Sequence, residues 1–64
     1  MTKEKAALLA TVIRAAHHER AAIVLLVDEK DGRYVVDLGS AGLTKEGVRG
    51  ALCEAAKALI NVDL

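Results

Sequence analysis

Apolar positions recur at intervals of three and four near both ends of the chain, and give way to an unbroken run and then to strict alternation in its middle. In "TKEKAALLATVIRAAHHER", Ala6, Leu9, Val12, Ile13 and Ala16 share one face of a helical wheel, with Glu4, Thr11, Arg14 and His18 opposite and His17 near the boundary. This spacing predicts an amphipathic helix from about Lys3 to Arg20. Thr2 is placed to cap it, and Glu4 lies in its first turn, where an acid suits the helix dipole.

The period then changes. Ile23 to Val27 is apolar at every position and too short for an independent helix, and it is followed by "DEKDG", whose Asp31-Gly32 pair is a hairpin signal. Beyond the turn, Arg33 to Leu38 alternates: Tyr34, Val36 and Leu38 on one face, Arg33, Val35 and Asp37 on the other. The second strand therefore reads as having one core side and one wet side. The first strand presents Ile23, Leu25 and Val27 to one face and Val24 and Leu26 to the other. Neither of its faces suits water.

After Leu38 the loop "GSAGL" leads to Thr44, which can cap a second helix from about Lys45 to Ile60 with Val48, Ala51, Leu52, Ala55 and Leu59 on its apolar face. Asn61 is a suitable terminator, and "VDL" reads as an extended tail or a strand given to a neighbour. The order predicts a single α+β domain over residues 1–64, an αββα unit with an antiparallel hairpin and both helices on one of its faces. A lone two-stranded sheet is weak and leaves two edges open, so oligomerisation, most simply a homodimer, is expected to complete it. Either two hairpins join across a dimer axis into a four-stranded sheet, with the neighbour's helix or tail over the second face of the first strand, or two subunits stack through Val24, Leu26 and Val35, the expected interface residues.

Composition strengthens this expectation. A chain of 64 residues buries only about 60% of the surface its unfolded form exposes, and so needs a disulfide, a metal or a partner. One cysteine, Cys53, excludes an intrachain disulfide, and Cys53 with the adjacent His17 and His18 follows no zinc spacing. The 53% hydrophobic content, with Tyr34 as the one aromatic, supplies more aliphatic surface than a small core uses. Nine basic and nine acidic residues balance, with none of the basic surplus that nucleic acid binding requires. The longest apolar run, Ala21 to Val27, is far short of the roughly 20 residues that span a bilayer. The N-terminal segment carries Glu4, breaks at Thr11 and Arg14 and lacks a small-residue cleavage site, so no signal peptide is expected. A cytoplasmic protein is the expectation.

The most suggestive chemical feature is "GSAGLTKEG", a glycine-containing strand-to-helix loop. Free N–H groups at a helix start favour an anion, and glycine permits a close approach. Gly39, Ser40, Gly42, Thr44, Lys45 and Arg49 are the candidate ligand-binding residues, with Tyr34 as a stacking platform if its face lines an intersubunit groove. The spacing matches neither the dinucleotide fingerprint nor the Walker loop, and turn geometry with capping by Thr44 accounts for the same residues. His17 and His18 suit a helix C-terminus. Cys53 falls at the flank of an apolar helix face, where cysteine behaves as a small hydrophobe. Asp28, Glu29 and Asp31 lack the calcium-loop pattern. No base, orienter and oxyanion donor can be assembled, so no catalytic residue, metal or cofactor is assigned.

Two functional expectations follow. One is a non-enzymatic homo-oligomeric module holding an anionic, nucleotide-like small molecule in an intersubunit groove beside the glycine loop. The other is a protein-interaction module, an adaptor or inhibitor of a larger protein such as a viral or bacterial accessory protein, docking through its sheet edge or the apolar face of strand one.

Overall fold

The structure, a computed structural model, describes residues 2–60. It contains α1 (Thr2–Ala16), β1 (Ala22–Lys30), β2 (Arg33–Ala41) and α2 (Lys45–Ile60). The αββα order is the one the periodicities imply, and β1 and β2 form an antiparallel two-stranded sheet. Asn61 and the "VDL" tail lie outside the described residues. Thr2, expected to cap α1, is its first residue.

α1 ends four residues before the predicted Arg20, for a local reason. His18 adopts a left-handed φ of 52°. Its N–H reaches the Ala15 carbonyl at 3.3 Å, and the Glu19 N–H reaches back to the Arg14 carbonyl at 3.0 Å. These are the two bonds of a Schellman motif, which satisfies the last carbonyls of a helix and turns the chain out of it. Glycine normally holds that position; histidine holds it here, so the stop carries no glycine signal in the sequence.

Both strands run longer than their apolar cores. Asp31 and Gly32 have φ of 53° and 75°, the two left-handed residues of a type I′ turn, and Lys30 pairs directly with Arg33. A two-residue turn carries pairing right up to its corners. Asp28, Glu29 and Lys30, read as loop, are therefore strand. At the other end Gly39, Ser40 and Ala41, also read as loop, continue β2 opposite Val24, Ile23 and Ala22.

The position of α1 is set by small residues. Ala6 and Ala10, four apart on one helix face, are wholly buried, and Gly39 is the buried position of β2. A side-chain carbon on Gly39 would overlap the backbone of Ala6 and Ala7. The helix axis thus rides directly over the glycine, where no other residue fits. Because paired residues in an antiparallel sheet project to the same side, Val24 shares the α1 face with Gly39, and so do Leu26 and Asp37.

This assignment reverses the predicted use of the two faces. Val24 and Leu26, expected at the outer interface, lie on the side that α1 covers; Val35 shares that side further toward the hairpin tip and is half-exposed. Tyr34, Val36 and Leu38, expected in the core, share the opposite face with Ile23, Leu25 and Val27. Alternation determines which residues travel together but not which group meets the helix. The glycine made that choice.

α2 begins at Lys45 as expected. The Thr44 hydroxyl accepts the Gly47 N–H at 3.1 Å, and the Val48 N–H reaches the Thr44 carbonyl at 2.9 Å, which is an N-cap with the first helical bond after it. α1 packs on the hairpin, whereas α2 stands off it, and no residue of α2 is buried. One ion pair, Lys57 to Glu54 at 3.3 Å, decorates its exposed surface and adds little to its stability.

Candidate functional site

The glycine loop is a structural joint before it is anything else. Gly39 sits within the β ladder beneath α1, so its backbone does not form part of an open cradle. Ser40 pairs with Ile23 and faces away from α1. Gly42 has a left-handed φ of 81°, and a side-chain carbon there would lie 2.6 Å from the Arg20 carbonyl oxygen and 3.1 Å from Arg14 Nε. Arg14 Nε itself donates to that carbonyl at 2.9 Å. The end of α1, the entry to β1 and the exit from β2 therefore meet at Gly42, tied by one charge-assisted hydrogen bond.

Thr44, Lys45 and Arg49 follow at the start of α2, all exposed. The Thr44 cap already occupies the Gly47 N–H. Tyr34 is elsewhere: it pairs with Glu29 beside the turn and is 77% exposed. Gly39 lies five residues further along β2, roughly 17 Å away at the usual rise. Within one chain the structure does not bring Tyr34 to the loop residues.

The other candidates are also dispersed. His17 and His18 lie in the turn after α1, Cys53 is exposed on α2, and the Asp28 and Glu29 side chains flank the hairpin tip. Asp28 accepts the Glu29 N–H at 2.8 Å, a local turn-like bond. Among the described residues, no group of three His, Cys, Asp or Glu side chains is placed to hold a metal ion. A shallow depression between Thr11, Arg14, Ala15, His18 and Glu19 lies at the end of α1. Arg14 on its wall is already engaged with the Arg20 carbonyl.

What stands out is apolar. On the sheet face away from α1, Leu25 is 48%, Val27 60% and Val36 52% exposed, flanked by Ile23, Leu38 and Tyr34. On α2, Val48, Leu52, Ala55 and Leu59 recur at intervals of four, three and four, which aligns them in one stripe, and Leu59 is 63% exposed. Among the described residues, apolar side chains thus stand exposed at the centre of the outer sheet face, on α1 at Leu8 and Val12, and on α2 at Ala55 and Leu59, while Val48 and Leu52 at the start of the α2 stripe are half-buried.

The sequence contained a usable sign of the arrangement. Ala6 and Ala10 are spaced one helical turn apart, and Gly39 continues the alternation of Val35 and Asp37; small residues on both partners mark a close approach of backbones. Read together with the loop residues that follow it, Gly39 hides that sign. No helix among the described residues is long and apolar enough to cross a membrane. Compared with protein-family models, curated proteins and solved structures, the chain matches none of them.

Proposed function

We propose that the chain is a self-associating protein-interaction module whose work is binding rather than catalysis. One observation carries this reading: β1 is apolar on both faces from Ile23 to Val27, and α1 covers only one of them. An exposed aliphatic strip of this kind on so small a domain marks a surface that protein covers. Its aliphatic character, with Tyr34 only at one end, suits another protein surface better than an anion, and the glycine loop offers little free backbone. The candidate chemical groups are spread over the turn after α1, the hairpin tip and the middle of α2, an arrangement that supports binding over a concerted reaction.

Thermal melting at low and high protein concentration tests the proposal, comparing the wild-type chain with Leu25→Lys. Association through the open sheet face makes the wild-type midpoint rise with concentration, as mass action requires. Leu25→Lys then lowers the midpoint by at least about 8 °C, corresponding to one or two kcal/mol in a domain of this size. It also weakens the concentration dependence. A midpoint independent of concentration and unchanged by Leu25→Lys means that water, not protein, covers the face, and the proposal fails.

A further inference from the structure

We infer that the partner is a second copy of this chain, and that the two copies exchange α2, each helix laying its Val48, Leu52, Ala55 and Leu59 stripe across the outer sheet face of the other. The inference rests on the self-association reading and specifies its geometry. Three observations support it.

The first is area. The chain exposes 5495 Å², whereas a compact monomer of its 6.8 kDa mass exposes about 4,000 Å² by the usual scaling. The excess is roughly 1,500 Å² per chain. Removing it from two copies makes an interface of about 3,000 Å², in the range of obligate dimers and well above transient contacts. A radius of gyration of 12.9 Å, against about 10.7 Å for a compact domain of this length, shows the same departure from a closed shape.

The second is complementarity. The α2 stripe, Val48 to Leu59, spans about 17 Å at the usual helical rise, and the outer apolar strip, from Ile23 to Tyr34 opposite Glu29, extends roughly 20 Å. The stripe on α2 fits within the strip on the sheet. Both are aliphatic, and Leu25, Val27 and Val36 meet the valine, leucine and alanine positions of the helix without placing a charge at the centre. Gly50 and Glu54, on the other side of α2, stay in water.

The third is the state of α2 itself. It is capped by Thr44 and has no fully buried residue, its stripe half-buried at Val48 and Leu52 and exposed at Ala55 and Leu59, yet a helix of this length is marginal in water without a surface to pack on. Its own sheet has one free face of matching size. Reciprocal use of that face by two copies closes both surfaces with a single symmetric contact.

Cross-linking identifies which chain supplies the helix. In a Cys53→Ser background, one preparation carries Leu25→Cys and another Ala55→Cys, near the centres of the two strips. The two are mixed, unfolded and refolded together, and oxidised. A second pair, Val36→Cys and Ala51→Cys, covers the case in which one variant fails to fold, and a sample oxidised in denaturant measures chance collision. The exchanged dimer predicts that mixed chains join into a species of twice the chain mass, several-fold above the denatured sample. If the mixture does not join while the protein has the solution mass of two chains, the copies associate through another surface: the exchange is wrong and self-association stands. If Leu25→Cys/Ala55→Cys in one chain closes within itself and the protein has the mass of one chain, α2 covers its own sheet and both readings fail.

Discussion

Gly39 is where α1 and the sheet come closest, and alanine at that position is a sharp probe of the contact. Its φ lies outside the left-handed region, so alanine suits the local backbone, and any loss reports the overlap with Ala6 and Ala7. Gly39→Ala is expected to lower stability by about 1–3 kcal/mol or more, the usual cost of overpacking. Gly50 is the contrasting case. Nothing approaches the space its side chain would occupy, it lies mid-helix in α2, and Gly50→Ala is expected to raise stability by about 0.5–1 kcal/mol. Urea midpoints of the two variants should move in opposite directions; a neutral Gly39→Ala would mean that α1 does not dock there. The two glycines look alike in the sequence, because the close approach at Gly39 is made by a segment some thirty residues away.

Among the elements, those fixed by neighbouring residues were legible. Asp31-Gly32 specified the hairpin turn, Thr44 specified the start of α2, and the stripe on α2 carried that helix to Ile60. Thr44→Ala removes the cap from a helix without buried residues of its own. It is expected to cost about 1 kcal/mol, seen as a lower thermal midpoint with reduced helical circular dichroism. An unchanged midpoint would show that α2 does not depend on Thr44. Features that depend on distant partners were not legible. The end of α1 at Ala16 rests on a left-handed histidine, and the choice of sheet face rests on the fit of Ala6 and Ala10 to Gly39. The candidate ligand residues divided along the same line: Thr44 kept its local role, while Gly39 entered the ladder and Tyr34 lay at the far end of the strands.

At the scale of the whole molecule, Ala6 and Ala10 are the buried hydrophobic residues among those described, and no large side chain is fully buried. Two alanines and a glycine position a helix well but contribute little apolar area. Larger aliphatic side chains are on the outside, Leu25, Val27 and Val36 on the sheet and Leu59 on α2 among them, with Leu8 and Val12 exposed on α1 as well. On the proposed exchange a second copy brings those side chains into a shared core, and folding and association are then expected to be one event. The strand that is apolar on both faces then has α1 of its own chain on one side and α2 of its partner on the other. The most direct test is the solution mass of the refolded chain, measured by light scattering across a hundredfold range of concentration with circular dichroism on the same samples. Shared folding predicts twice the 6.8 kDa chain mass at high concentration, with helical signal lost together with mass on dilution. A folded species holding the mass of one chain throughout would contradict it.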